Sequence, residues 1–566
     1  MLKGIAVSGG IGIGKVMLIE DQSLDYTPVK VSDIKEEKKR FNRALSEFSK
    51  KSEQLIQQLM ESAGENEAAI IRGQSVMLRD PYLIGETEKL ISDGKCAEQA
   101  FETVCDTFIS IFSTAAEDII KQRAADMRDI KAAMLRQLLG ITEVRLNNIP
   151  SGTVIVAREL TPSMTADINK ENVAAIVTET GSTTSHTAIL ARVLEIPAVL
   201  SIPDITKILK NGNKVIVDGN SGEVIPEPDN IQMEVYTRRR EKYIGEKREL
   251  ESFRGQPTIS ASGERYSLFC NIGTPEDTFK AIDADGEGIG LFRSEFIFMN
   301  RNSAPSEQQQ FEQYKKAVMM LKGKPLTIRT LDVGGDKALP YLGMPKEDNP
   351  FMGFRAIRYC LKKRDFFKDQ LRAILRAGAY GNISVLLPMI TCTDEVIAVR
   401  ELIEECGKEL DIRNTEYDRD IRVGVMIETP AAVAIADQLA DEADFFSIGT
   451  NDLTGYMMAC DRGNADVGYL YSSFQPAVLR AVERTIRCGK EKKIPVKMCG
   501  EAAADPMMIP LLISFGLNEF SVSPPSVLRV RKCISEWTKK NADNVTEKVM
   551  KLRTEREIVE YLKTVL

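Results

Sequence analysis

Residues 288–296 read GIGLFRSEF. A short apolar run ends in an arginine and a glutamate, and the next residues turn helical. Seven further segments follow the same grammar. They are YSLFCNIG at 266–273, PLTIRTLDVGGD at 325–336, ISVLLPMI at 383–390, IRVGVMIETP at 421–430, FFSIGTND at 445–452, PVKMCGE at 495–501 and NEFSVSP at 518–524. Continuous apolar runs of this length, bounded by turn residues and separated by helical stretches, are the pattern of buried parallel strands. Eight such units after about residue 258 predict a closed (β/α)8 barrel. An open doubly wound sheet is the alternative for this half.

In such a barrel the working residues lie at the C-terminal ends of the strands. Arg293, Arg329, Arg355 and Arg462 fall at or just after these ends. Guanidinium forks bind phosphate and carboxylate oxygens in pairs. Glu428 and Asp452 are placed to share Mg²⁺, an oxygen-seeking cation. Lys337 follows a Gly-Gly-Asp turn, whose backbone N–H groups suit an anion. Cys499 closes the run KMC; a buried cysteine is ordinarily a small hydrophobe, but at a strand end it is a candidate proton donor or nucleophile. Together these residues predict a small, multiply anionic substrate and a divalent metal.

The first half has a different texture. TVIVA, VAAIVT, AVLSI and KVIVDG between residues 150 and 226 are short β-type runs, and residues 1–20 are glycine-rich and β-like. SGGIGIGKV, at 8–16, is nearly a phosphate-binding loop, but Val16 stands where Ser or Thr is required, so a strand is expected instead. From Val31 to about Gly140 the spacing is helical. Asp33 and Glu36 suggest a capping box, and Ile34, Phe41, Leu45, Phe48, Leu55, Ile56 and Leu59 recur on one face. The charged stretch 229–253 reads as a solvated connecting helix.

The chain's only histidine, His186, lies in GSTTSHTAIL at 181–190. Thr178, Thr180, Ser182, Thr183, Thr184 and Ser185 precede it, and Ala188, Ile189, Leu190, Val193 and Leu194 continue as an amphipathic helix. His186 is therefore expected in the first helical turn, where unpaired N–H groups and the helix dipole favour negative charge and a neutral imidazole. Arg192 lies close enough to screen added charge. A phosphoryl group carried on nitrogen fits this position. A core histidine or a simple cap is the blander alternative. A metal site is not expected, because no second His or Cys stands at ligand spacing.

Composition narrows the class. The chain has 566 residues, 43% hydrophobic and 28% charged, which suits a multidomain globular protein. A net charge of −7 argues against a nucleic-acid partner. No apolar run is long enough for membrane insertion, and the start MLKGIAVSGG lacks a signal-peptide core, so a cytoplasmic location is expected. The ten cysteines include no CxxC pair and are expected to be reduced thiols.

TSHTAILARVLEIPAV resembles the phosphohistidine signature shared by enzyme I of the phosphoenolpyruvate:sugar phosphotransferase system, pyruvate phosphate dikinase and phosphoenolpyruvate synthase. GIGLFRSEFIFMNR, TIRTLDVGGDKALPY, NPFMGFRAIR, VGVMIETPAA, FFSIGTNDLTGY, DRGN and KMCGEAAAD resemble, in order, the barrel of the enzyme I family. RAADMRDI at 123–130 resembles part of that family's docking module for the phosphocarrier protein HPr. No nucleotide-grasping domain precedes the histidine, which disfavours the dikinase and the synthase.

The resemblance implies a multidomain α/β chain. Residues 1–20 with 143–228 would form a swivelling phosphohistidine domain, 21–142 an inserted helical carrier-binding domain, 229–257 a linker helix, and 258–566 a phosphoenolpyruvate-binding TIM barrel that forms a homodimer. It implies that His186 takes the phosphoryl group of phosphoenolpyruvate, releasing pyruvate, and passes it to HPr. Arg293, Arg329 and Arg462 would hold substrate, with Arg355, Lys337, Asn451 and Asp452 beside them. Glu428 and Asp452 would bind Mg²⁺, and Cys499 would protonate the enolate. The sequence departs from the family at Ser182-Thr183, at Gly455, at Ser472-Ser473 and at Pro524-Pro525. The departures around His186 and Asn451 motivate a rival expectation, a non-catalytic phosphoenolpyruvate sensor.

Overall fold

A computed structural model describes residues 1–19, 24–62, 72–73, 75–114, 118–141, 146, 149–160, 164, 168–182, 185–299, 301–334, 339–464 and 466–565. The chain divides into two compact units, Met1–Lys247 and Arg248–Leu566.

The first unit is built on an eight-stranded sheet. Its strands are β1 (Leu2–Lys3), β2 (Ile5–Ser8), β3 (Ile11–Ile19), β4 (Thr153–Ala157), β5 (Val173–Thr178), β6 (Ala198–Leu200), β7 (Lys214–Asp218) and β8 (Glu223–Pro226). Their order is β1-β8-β7-β3-β4-β5-β6-β2. β3 to β6 run parallel, whereas β7 and β8 are antiparallel. Strands from both sides of the helical stretch thus share one sheet. The near-phosphate loop is strand β3, and its glycines serve packing: a Cβ at Gly12 or Gly14 would lie 2.2 or 2.1 Å from the carbonyl oxygens of Ala174 and Gly152.

Between β3 and β4 lie helices α1 (Ile34–Ser62), α2 (Pro81–Ser92), α3 (Ala97–Ser113) and α4 (Asp118–Leu139). Asp33 caps α1, its carboxylate accepting from the N–H groups of Lys35 and Glu36 at 3.0 and 3.1 Å. Asp80 caps α2 in the same way, with Pro81 in the first turn. Phe41, Leu83, Ile91, Phe101, Met127, Ile130 and Met134 close a separate core. Arg40 crosses it to Glu37 and Glu98, both at 2.7 Å. The helical stretch expected at 65–78 falls mostly outside the described residues. Helix α5 (His186–Val193) follows β5, and α6 (Asn230–Glu251) is largely exposed, with only Tyr236 buried.

The second unit is a closed barrel of eight parallel strands. They are β9 (Ser267–Ile272), β10 (Ile289–Arg293), β11 (Leu326–Arg329), β12 (Ile383–Leu387), β13 (Arg422–Ile427), β14 (Phe445–Ile448), β15 (Val496–Met498) and β16 (Glu519–Val522). β16 pairs back onto β9 and closes the ring. Each strand is one of the segments picked out by the sequence pattern. The strand interiors are almost wholly buried. Leu291, Leu386, Met426, Phe445 and Cys499 form a small inner cluster inside the ring. Packing of this kind makes the barrel a filled core, so chemistry is confined to its ends. Among the described residues no helix is long and apolar enough to cross a membrane.

Candidate active site

Register brings the arginines together. Arg293 and Arg329 are partners on the adjacent strands β10 and β11. Arg329 donates to Glu295 and lies 3.2 Å from Asp332. Arg355, which follows the long β11 loop, donates to the other oxygen of Asp332 at 2.7 Å. It also reaches Asp452 at 3.6 Å and the Tyr456 hydroxyl at 3.3 Å. Asp332 therefore bridges two buried guanidinium groups. Arg293 has no hydrogen-bond or ion-pair partner among the described residues.

Helix α7 (Thr450–Met458) begins just after β14 and carries Asn451 and Asp452 in its first turn. The Asn451 side chain accepts from the N–H of Glu501 at 3.1 Å and donates to the Glu501 carboxylate at 3.2 Å. The Tyr471 hydroxyl donates to the Asn451 carbonyl at 2.8 Å. Glu428 directly follows β13, is buried, and accepts from the N–H of Met389 at 2.7 Å.

The electrostatics follow from this crowding. Burial, then the charges of Asp452 and Asp332, push the Glu428 carboxyl up to about 8. Burial works against charge on Arg329, but Glu295, Asp332, Glu428 and Asp452 outweigh it and hold the guanidinium above its ordinary value. Burial likewise pushes the Cys499 thiol up, against the charge of Arg329. Glu428 and Arg293 also act on that thiol, so Cys499 sits within reach of the whole cluster.

Among the described residues no group of three His, Cys, Asp or Glu side chains forms a metal cage. Glu428 and Asp452 nevertheless supply two carboxylates whose mutual repulsion a cation would relieve. Mg²⁺ is commonly held by one or two carboxylates and completed by substrate phosphate and water. The donor set fits such an ion.

His186 opens α5, with Ser185 as its N-cap; the Ser185 hydroxyl accepts from the N–H of Ala188 at 3.4 Å. The helix start expected at the histidine is present. The hydroxyls before it are more committed than their sequence implies. Thr178 donates to the Thr180 carbonyl, Thr180 to the Arg158 carbonyl and Ser185 to the Ser182 carbonyl. These three shape the turn rather than stand free for an anion. Thr183, Thr184 and Lys337 lie outside the described residues, as does the side chain of His186.

Of the expected barrel residues, the structure brings Arg293, Arg329, Arg355, Glu428, Asp452 and Cys499 to one end of the ring. Asn451 is there through its backbone and Glu501. Arg462 is exposed beyond α7, where its charge reaches Tyr471. Asp332 is expected at a strand end beside Arg329 but without an assigned role, and Tyr456 is not among the expected site residues. Asp332 had a signal, lying three residues after Arg329; Tyr456 had none, because only the folded loop brings it to Arg355.

Comparison with known proteins decides the family. The profile of the PEP-binding domain of PEP-utilising enzymes matches residues 247–538. Profiles of the N-terminal and mobile domains of the same enzymes match 3–123 and 149–222. The chain is 42% identical over 563 residues to phosphoenolpyruvate-protein phosphotransferase of Bacillus sp. (strain S), covering 99% of this chain and 97% of that relative. It belongs to the phosphoenolpyruvate-protein phosphotransferase family. The relative from Bacillus subtilis (strain 168) is 40% identical over 563 residues, with 99% of both chains covered. An NMR solution structure of an enzyme I protein shares 36% identity, covers 43% of this chain and 99% of that one, and has a TM-score of 0.39. Family membership extends through the barrel, the sheet bearing His186 and the helices between β3 and β4.

Proposed function

We propose that this protein takes the phosphoryl group of phosphoenolpyruvate onto His186, releases pyruvate, and passes the group to a histidine of the phosphocarrier protein HPr. One observation carries the barrel half of this reading. Arg293 and Arg329 stand side by side on neighbouring strands, and Arg293 keeps its charge free for a ligand. Phosphoenolpyruvate offers the matching phosphate and carboxylate oxygens. Arg355 and Asn451 border the same space, and we assign Arg462 and Lys337 to the same ligand on the family resemblance.

The work of these residues is largely electrostatic. Arg293, Arg329 and Arg462 neutralise the substrate and align phosphorus with the incoming imidazole. Glu428 and Asp452 hold Mg²⁺, which when bound neutralises phosphate charge. Cys499 keeps its proton through burial and delivers it to the enolate carbon as a general acid. At the other unit, the neutral imidazole of His186 is the nucleophile, and the start of α5 favours the charge it acquires. We place the division of labour at 1–20 with 143–228 for the histidine domain, 21–142 for carrier docking, 229–257 for the linker and 258–566 for the barrel. The protein works in the cytoplasm as a homodimer joined through the barrel.

Labelling with ³²P-phosphoenolpyruvate and Mg²⁺ tests this. Wild type is expected to carry acid-labile, base-stable label with stoichiometric pyruvate. His186→Ala is expected to lose label by about 10⁴-fold or more while still binding phosphoenolpyruvate. Binding without label in both proteins would overturn the transferase reading and leave a sensor.

A further inference from the structure

The seam at which the barrel closes carries a polar knot that the proposed reaction does not yet use. Asn271 on β9 donates through Nδ2 to the carbonyl of Cys499 at 2.9 Å and to the carbonyl of Ser521 at 3.2 Å. Its Oδ1 accepts from the Ser521 hydroxyl at 2.6 Å. One side chain thus ties the first strand of the ring to the last and to the residue that follows β15. Ser521 is fully buried, and Gly290 on β10 leaves it room: a Cβ there would lie 2.3 Å from Ser521 Oγ.

Cys499 needs this support. β15 is three residues long, and its pairing with β16 ends at Met498 opposite Phe520. The Cys499 carbonyl therefore lies beyond the ladder, and the Asn271 amide takes the place of a strand N–H. The other side of the residue is held by β14. The Cys499 N–H donates to the Ile448 carbonyl at 3.1 Å, and the thiol lies 3.6 Å from the same oxygen. The amide itself has one workable orientation. Turned over, its oxygen would face two carbonyl oxygens and its NH₂ would meet a hydroxyl, giving up two bonds.

We infer that Asn271 is a positioning residue: by fixing the Cys499 carbonyl it sets which face of the enolate the thiol addresses. The inference rests on the proposed role of Cys499 as the acid. In that step the S–H bond breaks and its proton bonds to C3. The enolate's double-bond electrons form the new C–H bond, the oxygen's electrons form the C2 carbonyl, and the thiolate regains a proton from water. Without the clamp the thiol is misdirected, and enolpyruvate leaves to ketonise in bulk water from either face.

The test is the stereochemistry of protonation. Phosphoenolpyruvate stereospecifically tritiated at C3 is turned over once by excess enzyme in D₂O, and the chirality of the pyruvate methyl group is read. Wild type should give one hand and Cys499→Ala a racemic methyl. Asn271→Ala should bind phosphoenolpyruvate within about 3-fold of wild type and accept label on His186, yet give a racemic methyl. Retained chirality in Asn271→Ala, with loss in Cys499→Ala, overturns the inference alone. Retained chirality in Cys499→Ala overturns the acid role and the inference with it. Loss of binding, label and chirality together in Asn271→Ala means that it only holds the barrel shut, which also overturns the inference. Should Asn271→Ala fail to fold, Ser521→Ala gives the same readout: partial racemisation supports the clamp, and the wild-type hand overturns it.

Discussion

The histidine stretch and the barrel mouth handle the same phosphoryl group in the proposed reaction, yet they are built in opposite ways. The bonds that set the helix start at His186 are local, Ser185 to Ser182, Ala188 to Ser185 and Thr178 to Thr180, while Thr180 to Arg158 and Thr187 to Leu160 tie it to the neighbouring segment. At the barrel mouth the decisive bonds join distant residues, up to the 250 positions that separate Asn271 from Ser521. A single nucleophile needs only a helix start. A pocket for a multiply charged ligand must hold several like charges before the ligand arrives, and each buried charge needs a partner from another strand.

Asp332→Ala strikes that partnership hardest. It removes the carboxylate shared by Arg329 and Arg355, at 3.2 and 2.7 Å, and leaves two buried guanidinium groups short of charge. Losing one member of a buried pair costs about 3–5 kcal/mol. Denaturant unfolding followed by Trp537, the only tryptophan and a residue of the barrel unit, should report a loss of that size. Asp332→Asn, which keeps the shape, should lose less. A change under about 1 kcal/mol for Asp332→Ala would mean that the pairing is incidental and would erase the contrast between the two regions.

Lys497 sharpens the same point from below the site. It is buried inside the ring, donates to Thr327 at 3.1 Å, and stands 4.0 Å from Glu519. The rings of Phe445 and Phe269 lie 4.5 and 5.5 Å from its ammonium. Burial holds its pKa below the ordinary 10.5, with Glu519 only partly offsetting this. The unfolded chain therefore binds more protons than the folded one from the lowered pKa up to 10.5, and stability rises with pH across that window. Lys497→Met should remove this rise and stabilise the barrel near neutrality by about 1–2 kcal/mol. Destabilisation of the same size, with the pH slope intact, would show that the ammonium is as well partnered as Arg329.

This division also explains what the sequence made legible. Each barrel strand could be picked out, because burial on both faces writes an apolar run ending in a polar residue. The helix start at His186 was legible because Ser185 and the following apolar spacing are adjacent in the chain. The Arg329–Asp332–Arg355 bridge and the Asn271 knot were not legible. The bridge depends on how the segment after β11 folds back to bring Arg355 to Asp332, and the knot on the closure of β16 onto β9, and both are properties of the folded barrel. The hydroxyls before His186 mislead in the opposite direction: a Ser/Thr-rich run looks like an anion cradle, but much of it satisfies its own backbone.

Ser185→Ala probes the local half of the contrast and carries the smallest expected effect. The change removes the cap on the Ala188 N–H and the bond to the Ser182 carbonyl. The cap distance of 3.4 Å is long, so the cost belongs at the low end for a lost N-cap, about 0.5–1 kcal/mol. Local opening should rise accordingly, speeding hydrogen exchange in a peptide spanning 182–194 by about 2–5-fold. Because the imidazole itself is untouched, phosphoryl acceptance should slow by less than about 10-fold. A loss as deep as that of His186→Ala would instead make the Ser185 hydroxyl a participant in the transfer. The histidine stretch would then be a site of several interdependent groups, as the barrel mouth is.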